Sequence, residues 1–187
     1  MTTVDDLWFL ATQARQQAEQ VYHELERRHD GYVEYTTTRR VSRGRFRTVA
    51  TRIEDCGLPY GSHTLAHRPG GRLALVRHEA VGMWVLPGGE VHDDEEFRDG
   101  ARRELREEAG IEATYEGLGI LGRVQFRCDD HRTWGVLPIY AARATETDLS
   151  VEDPDDEISE SKWFDELPPD TRDRDVLEEW REQRFHD

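Results

Sequence analysis

The residues best suited to chemistry in this chain are three glutamates that lie within five positions of one another. Glu104, Glu107 and Glu108 follow a glycine pair at Gly88-Gly89 and precede Gly110. At about 100° per residue, their carboxylates fall within an arc of roughly 100° on a helix. Like charges at such spacings repel one another, and a bound divalent cation reverses the sign of that interaction. Because oxygen ligands without nearby cysteine or histidine favour hard cations, the pattern predicts Mg²⁺ or Mn²⁺.

A helix over residues 95–109 is predicted to position these carboxylates. Asp93 and Asp94 are N-cap candidates, and acidic residues near the first turn suit the helix dipole. Gly110 stands where a C-terminal stop is expected, and Pro87-Gly88-Gly89 predicts a turn ahead of the helix. A solvated, charged helix face is the alternative interpretation, since most glutamate clusters are of that kind. The glycines and the arginine in fixed register weigh against it.

The register of the whole segment is highly specific. The pattern G-x5-E-x7-R-E-L-x-E-E-x-G-I is formed by Gly89, Glu95, Arg103-Glu104-Leu105, Glu107-Glu108 and Gly110-Ile111. It resembles the Nudix box, the signature of hydrolases that act on a nucleoside diphosphate linked to another group. Every defined position of the box is satisfied. The resemblance covers the box directly, and a weaker arrangement of strands around it extends the similarity to about residues 60–170.

The resemblance implies a role for each matching residue. Glu104, Glu107 and Glu108 would bind the metal ions, and Glu104 and Glu107 would thereby belong to the catalytic set. Arg103, also catalytic, would hold a box glutamate by a charge-assisted hydrogen bond. Glu95 would serve the metal shell through water or orient the loop. In this family the metals clamp a pyrophosphate bridge and activate a water that attacks phosphorus, in line with the general effect of metals on bound water.

A further base often follows the box in this family. Glu157, which lies ahead of a strand at Trp163-Phe164, is the first candidate in this chain, and Glu160 is the second. Both residues could instead be plain surface acids. The rest of the acidic loop at 147–160 has no calcium-binding register and is predicted to be solvated.

Substrate contacts are predicted on the approach to the box. Arg77 ends a strand, where it could grip a phosphate bidentately, although a salt bridge at the rim is an equal alternative. Gly88 and Gly89 at the turn are assigned to substrate binding, and Trp84 is available to stack on a base. The other strand aromatics near the inferred cleft are Phe126, Trp134 and Tyr140. For all four aromatics a core position is the more common alternative.

The elements around the box predict an α/β fold. The resemblance implies the Nudix α/β/α sandwich with a mixed sheet, to which an N-terminal helical appendage is added. We place the appendage at residues 1–58 and the hydrolase domain, with a closing C-terminal helix, at 59–187. An apolar stripe predicts a helix over 4–28, which packs on the core or pairs with its twin in a homodimer. The other predicted elements are a strand at 45–53, a hairpin turning at Pro69-Gly70-Gly71, strands at 113–127 and 133–143, and a helix at 173–184.

The formal net charge of −15 opposes broad nucleic-acid binding, because phosphates would be repelled. A basic island at residues 36–55 is the exception. Its arginines are Arg39, Arg40, Arg43, Arg45, Arg47 and Arg52. The island could meet substrate phosphates or RNA. The favoured interpretation is a strand whose arginines pair with acidic residues on the surface.

The basic residues are almost entirely arginine. Lys162 is the single lysine beside 24 arginines, and asparagine is absent. Abundant acid with so little lysine suggests adaptation to high intracellular salt, as in a halophilic organism; an acidic protein from a GC-rich mesophile is the alternative. Stability measured from low to multimolar KCl tests this hypothesis, and full stability without salt would contradict it.

The sequence gives no indication of export or membrane insertion. The N-terminus lacks a basic and apolar signal pattern, and no apolar run approaches the ~18 residues of a membrane span. We therefore predict a cytoplasmic protein with no membrane partner. Cys56 and Cys128 form neither a metal-binding spacing nor a disulfide framework, and are expected to be reduced thiols.

The function predicted from these patterns is Mg²⁺-dependent hydrolysis of a pyrophosphate linkage in a small nucleotide-type substrate. One alternative is a catalytically silent nucleotide-sensing module on the same fold. The other is an isopentenyl-diphosphate isomerase-like enzyme, for which Cys56 is the only cysteine ahead of the box. Residues after the box lack the patterns of the ADP-ribose, dinucleoside polyphosphate and NADH subgroups. Nucleoside triphosphates, modified nucleotides, capped RNA 5′ ends and non-nucleoside diphosphates all stay open as substrates.

Overall fold

The computed structural model describes residues 6–186 of the chain. In chain order its elements are α1 (Asp6–Arg28), β1 (Val33–Arg40), α2 (Arg43–Cys56), β2 (Ser62–His67), β3 (Leu73–His78), β4 (Met83–Val85), β5 (Gly88–Gly89), α3 (Phe97–Ala109), β6 (Ala113–Cys128), β7 (His131–Ala144), β8 (Ile158–Phe164) and α4 (Arg174–Phe185). None of the helices described is both long enough and apolar enough to cross a bilayer.

The chain forms two compact units. Unit 1 consists of residues 1–60 together with 121–137, and unit 2 consists of residues 61–120 together with 138–187. The long strands β6 and β7 thus each contribute one stretch to each unit. The predicted division into an appendage at residues 1–58 and a hydrolase domain at 59–187 stays a proposal.

Unit 1 is built on the packing of α1 against α2. Gly57 caps α2 in the left-handed conformation, and a Cβ there would lie 2.6 Å from a methyl of Val21 on α1. Close approach of the two helices therefore requires a glycine at this position. Strand β1 pairs with β6 in the same unit. The helix predicted over 4–28 is confirmed from residue 6 onward, and residues 4 and 5 lie outside the described range.

The strand predicted at residues 45–53 is wrong, because this segment lies within helix α2. Ser42 caps the helix by accepting a hydrogen bond from the Arg45 amide at 3.2 Å. The side chains that α2 buries are Phe46, Val49, Ala50 and Ile53. Their spacing of three and four residues is helical. The β-branched residues of the segment favour a strand by propensity alone, and burial of this stripe overrides that weak preference.

Unit 2 contains a mixed sheet with helices on both faces. The strand order is β6-β7-β2-β3-β4, with β5 paired to β2 and β8 paired to β3. Strands β2 and β7 run parallel, whereas β3 pairs antiparallel with β2, β4 and β8. On one face, Leu105 and Ala109 of α3 pack against Ala74 and Val76 of β3. On the other face α4 packs through Trp180.

Several predicted elements of unit 2 are confirmed. The hairpin turns at Pro69-Gly70-Gly71 with His67 paired to Leu73, and the strands after the box and the closing helix differ from prediction by one or two residues at their ends. The box helix begins at Phe97, and its N-cap is Glu96. The prediction that Asp93 or Asp94 would cap this helix is therefore wrong.

His67 links the sheet of unit 2 to α4. Its side chain is 3 % exposed, and Nε2 donates to the Glu116 carboxylate at 2.8 Å. The ring packs against Trp180 and Phe185 at centroid distances of 5.6 and 5.4 Å. Its Nδ1 is buried without a hydrogen-bond partner in the described structure. Burial lowers the pKa of His67 below its ordinary value, although Glu116 acts in the opposite direction.

We expect acidification to weaken folding through His67. Below about pH 6.5 the His67 side chain takes up a proton in the unfolded chain but stays neutral in the folded one. The contribution of His67 to the free energy of unfolding is therefore fully present above this pH and declines as the pH falls. Thermal melts across this range should show a flatter decline for His67→Gln. In the His23→Gln control the decline should steepen, since hydrogen bonds from Glu26 and Glu19 raise the pKa of exposed His23. A His67→Gln slope equal to that of the unmodified chain would contradict the expectation.

Candidate active site

Helix α3 carries the three box glutamates at graded depths. Leu105 and Ala109 anchor the helix in the core, so the neighbouring glutamates lie at its margin. Glu108 is 7 % exposed, and the side chains of Glu104 and Glu107 are 14 % and 32 % exposed. Glu108 Oε2 accepts a hydrogen bond from the Gly88 amide at 2.9 Å. The glycine pair and the helix that follows it therefore meet at one place.

The glycine pair allows the backbone to lie directly against the carboxylates. A Cβ on Gly89 would be 2.9 Å from Oε1 of Glu104, and a Cβ on Gly88 would be 2.5 Å from the ring of His63. Gly61, on the neighbouring chain segment, has φ +78° and would place a Cβ 1.7 Å from the Gly89 carbonyl oxygen. Any side chain at these positions would displace the backbone from the site. The role of Gly88 and Gly89 in substrate binding stays a prediction.

All three nitrogens of the Arg103 guanidinium group donate hydrogen bonds within the site. Nε and Nη2 donate to the two oxygens of Glu95 at 2.7 and 3.0 Å. Nη1 donates to Glu104 at 2.8 Å and to Glu107 at 3.4 Å, and Nη2 also reaches the Glu90 carbonyl at 2.8 Å. The Arg103 hydrogen bonds lower the pKa of Glu95 to about 2. A bidentate, charge-assisted pair of this kind fixes both side chains in orientation.

The protein alone does not compensate the charge of the deeper glutamates. Burial raises the pKa of Glu108 to about 9, and the neighbouring carboxylates Glu104, Asp153 and Glu157 act in the same direction. Burial also raises the pKa of Glu104, although Arg103 opposes the effect. Ionised carboxylates so placed need a cation nearby.

The donor set fits a hard divalent ion. In the chain from residue 6 to residue 186, no three acidic, histidine or cysteine side chains already converge on a common point as a metal site. Nη1 of Arg103 lies between Glu104 and Glu107 and donates to an oxygen of each. The available ligands are carboxylate oxygens alone, which suit Mg²⁺ or Mn²⁺. Buried Glu108, which forms no ion pair with any described residue, is the group that a cation would stabilise most.

A loop after β7 brings further carboxylates to the glutamates. The Ser150 amide donates to the Ala109 carbonyl at 3.0 Å, and the Glu152 amide donates to the Glu107 carbonyl at 2.8 Å. Box residue Gly110 makes this tether possible, because its φ is +69° and a Cβ would lie 2.0 Å from the Ser150 hydroxyl. The loop therefore follows the C-terminal end of α3 closely.

Asp153 shapes the part of this loop that carries Glu157. Its Oδ2 accepts hydrogen bonds from the amides of Glu157 and Ile158 at 2.7 and 3.0 Å, and its Oδ1 accepts one from the Asp155 amide at 3.1 Å. Glu157 lies near enough to Glu108 to raise its pKa, and it contacts His78 Nε2 at 3.5 Å. The sequence pattern predicts that Asp153 and Asp155 are merely solvated. In so acidic a loop, only the Asp-Pro-Asp turn at 153–155 could have indicated that Asp153 has a structural role.

Three other predicted residues lie on the opposite face of the sheet from α3. Arg77 is the register partner of both Trp84 and Glu160. Their strand neighbours on β3 and β4 pack against α3, and successive side chains point to opposite faces. Arg77 donates to Asp170 at 2.5 Å, Trp84 packs edge-on against Phe164 at 4.8 Å, and Glu160 pairs with Lys162. The structure does not bring these residues together with the glutamates, and their functional roles stay predictions.

The other aromatic candidates are placed by their surroundings. Phe126 and Tyr140 are buried core residues, as the alternative interpretation predicted. Trp134 lies in unit 1, where its ring meets Tyr22 at 5.9 Å and the guanidinium of Arg123 at 4.5 Å. Cys56 ends α2, and its thiol donates to the carbonyl of Arg52 at 3.4 Å.

Comparison with known families decides the affiliation of the chain. Residues 61–180 match the model of the NUDIX domain. The chain belongs to the NUDIX family. The matched range includes the complete box, from Gly89 to Ile111, and the loop that carries Glu157.

Curated relatives cover parts of the NUDIX segment. A putative 8-oxo-dGTP diphosphatase of Bacillus subtilis (strain 168) is 29 % identical over 91 residues, which are 48 % of this chain and 61 % of the relative. The CTP pyrophosphohydrolase of Escherichia coli (strain K12) is 44 % identical over 54 residues, 29 % of this chain and 36 % of that one. The chain thus spans less than two thirds of the length of either relative.

Solved structures confirm the fold. The NUDIX hydrolase from Nitrosomonas europaea superposes with a TM-score of 0.51 at 22 % sequence identity, over 68 % of this chain and 73 % of that chain. The predicted α/β class, with a mixed sheet between helices and an additional N-terminal helix, is therefore confirmed. The similarity at this level of identity concerns the fold alone.

Proposed function

We propose that this NUDIX protein is a divalent-metal-dependent hydrolase of a pyrophosphate linkage in a nucleoside diphosphate joined to another group. One observation carries the proposal. Glu104 and Glu108 meet the Gly88-Gly89 backbone, Arg103 joins Glu107 to Glu104, and the loop of Glu157 lies near Glu108. A group of carboxylates around a single arginine is suited to binding divalent cations, and these cations in turn bind the polyphosphate of a substrate.

Each residue has a defined task in this proposal. Glu104, Glu107 and Glu108 would hold Mg²⁺ or Mn²⁺, which supplies charge neutralisation and a more acidic bound water. Arg103 keeps Glu104 and Glu107 oriented and is itself held by Glu95. The glycine pair, having no side chains, would allow phosphate oxygens to approach the backbone closely.

In this proposal Glu157 is the base of the hydrolytic step. The oxygen of a water forms a bond to one phosphorus of the bridge, and the bond from that phosphorus to the bridging oxygen breaks. The water's proton passes to the Glu157 carboxylate, and the bridging oxygen leaves with the other phosphate. Glu157 is preferred over Glu160 because its loop reaches the box glutamates, whereas Glu160 lies on the opposite sheet face beside Lys162.

The names of the curated relatives suggest which substrate to test first. The names of both curated relatives refer to nucleoside triphosphates, 8-oxo-dGTP in one case and CTP in the other. We therefore propose a nucleoside triphosphate or a modified form of one as the first substrate to test. Nucleotide sugars, capped RNA ends and non-nucleoside diphosphates complete the test set.

The deciding experiment is incubation of the chain with each compound and Mg²⁺, with products separated by ion-exchange chromatography. Release of a nucleotide with two fewer phosphates, together with pyrophosphate, or of two phosphate-bearing fragments, supports the proposal. Tight binding of a nucleotide without any product would indicate a sensing module instead. Isomerisation of isopentenyl diphosphate would indicate the second alternative. Absence of every product under all conditions contradicts hydrolysis.

Asp153 provides a test of the loop. We expect Asp153→Asn to lower kcat by up to about tenfold. An NH₂ donor then replaces either Oδ2, which accepts from the Glu157 and Ile158 amides, or Oδ1, which accepts from the Asp155 amide. Asp156→Asn is the matched control in the same loop and should keep full turnover. If Asp153 acts through Glu157, the Asp153→Asn change should have little further effect in a Glu157→Gln background. Fully additive losses would contradict this role.

A further inference from the structure

The charge of the chain is unevenly distributed between its units. Unit 1 carries 12 arginines and 11 acidic residues, whereas unit 2 carries 13 basic and 29 acidic residues. The excess of negative charge in the whole chain therefore belongs to unit 2. Repulsion of a polyanion, which the net charge of −15 implies, applies to unit 2 and not to unit 1.

Unit 1 contains a continuous segment without any acidic residue. Between Glu34 and Glu54 the chain has six arginines and no aspartate or glutamate. These residues form most of β1 and of α2. The range 35–53 is named the arginine segment.

Four side chains of the arginine segment are exposed and form no salt bridge with any residue from 6 to 186. They are Arg40, Arg45, Arg47 and Arg52. The interpretation that the arginines of this segment pair with surface acids is therefore wrong for these four. In a chain with 40 acidic residues, the absence of partners reflects the local composition. These charges are available to a partner outside the chain.

Two of these four arginines lie close together on α2, and one of them shares a ring contact with Arg39 of β1. Arg45 and Arg52 are seven positions apart on α2, so they lie on the same flank of the helix and about 10 Å apart along its axis. The guanidinium carbons of Arg39 and Arg45 lie 4.9 and 6.0 Å from the centre of the Tyr60 ring. That ring is held edge-on by Phe126 at 5.8 Å. Packing within unit 1 thus supports the ring that Arg39 and Arg45 share.

The position of these charges works against the helix that carries them. The first turn of α2 has no acidic residue, and Arg43 and Arg45 lie there, at the positive end of the helix dipole. Arg43 and Arg47 are also like charges four positions apart. Folding of α2 alone would favour the opposite arrangement. A bound polyanion compensates both effects.

We propose that the arginine segment of unit 1 binds the phosphate backbone of a nucleic acid. Arginine suits this partner because its planar group bonds phosphate oxygens bidentately and also stacks on rings. Contacts of this kind position a backbone without reading its sequence. The proposal is independent of the hydrolase proposal, because binding is measured without turnover.

The test is fluorescence anisotropy with labelled RNA and DNA of mixed sequence, each single-stranded and duplex. The variant Arg40→Gln/Arg45→Gln/Arg52→Gln is compared with the control Arg15→Gln/Arg27→Gln/Arg28→Gln, which removes the same charge from α1 in the same unit. The first variant should bind at least about tenfold more weakly. The slope of log affinity against log salt should also fall by about 2, at ~0.7 for each lost contact to a single strand.

Several results would overturn the proposal. Absence of binding by the unmodified chain at about 50 mM salt, with circular dichroism showing it folded, is one. Equal losses in the two triple variants are another. A dimer that forms without nucleic acid and is abolished by the first variant would assign the arginines to a second copy's acidic surface. Hydrogen exchange of the unmodified chain gives an answer independent of mutation: protection over residues 36–56 on adding RNA supports the proposal, and protection elsewhere alone overturns it.

Discussion

Replacing Glu107 or Glu108 by glutamine is expected to lower turnover by a hundredfold or more while the fold persists. The substitution keeps the shape of the side chain and removes the charge that would hold the cation. A metal clamp contributes several kcal/mol to the stability of the transition state, and each ~1.4 kcal/mol corresponds to a factor of ten in rate. Because the amide oxygen introduced by Glu108→Gln can still accept the Gly88 hydrogen bond, the local packing is expected to survive.

The matched control for these variants is Glu112→Gln. Glu112 is exposed just beyond α3, where it pairs with Arg106, so its replacement removes the same charge outside the site. Steady-state kinetics over a range of Mg²⁺ concentrations, with a thermal melt of each variant, distinguishes loss of metal from loss of fold. Normal turnover in both Glu107→Gln and Glu108→Gln would refute the metal assignment.

Replacing Arg103 by lysine is expected to cost about ten- to a hundredfold in activity or in apparent Mg²⁺ affinity. Lysine keeps the positive charge, but a single ammonium group cannot reproduce a planar fork that reaches Glu95, Glu104 and Glu107 together. The glutamates would then lose their common orientation. Glu95 would lose the bidentate partner that lowers its pKa to about 2.

Arg102→Lys on the same helix is the control for Arg103→Lys. Arg102 stands over the ring of Tyr115 and reaches Asp99 only at 3.9 Å, so its replacement makes the same exchange of arginine for lysine outside the Arg103 contacts. A titration of activity with Mg²⁺ should distinguish the two variants. The Mg²⁺ concentration that gives half-maximal activity should shift for Arg103→Lys and stay unchanged for Arg102→Lys. Equal behaviour of the two variants would show that the guanidinium geometry is unimportant.

The sequence predicts those parts of the site that are local in the chain. The box places its residues on one helix between two glycine-rich turns, and each of these features depends on neighbours a few positions apart. The hairpin at Pro69-Gly70-Gly71 is predictable for the same reason. Helix α2 is not, because strand propensity and helical spacing give opposite indications there, and packing against α1 decides between them.

Contacts between distant residues could not be predicted. Arg77 pairs with Asp170, which is 93 positions away, so no local pattern separates this salt bridge from a phosphate contact. The approach of Asp153 and Glu157 to the box likewise depends on backbone bonds from the loop to the end of α3. In a chain with so many carboxylates, only the folded structure distinguishes those that meet the site from those that face solvent.

Unit 1 is built from two separate stretches of the chain, and this limits where the chain can be divided. Residues 121–137 fold with the first 60 residues: a Cβ on Gly135 would lie 2.7 Å from Ile53, and the Thr133 hydroxyl donates to the Ala11 carbonyl at 3.1 Å. A fragment beginning at Gly61 would keep the entire box and still expose Phe126 and Val136, both fully buried in the complete chain. Such a fragment would be prone to aggregate. The first 60 residues are therefore inseparable from the strands that complete them.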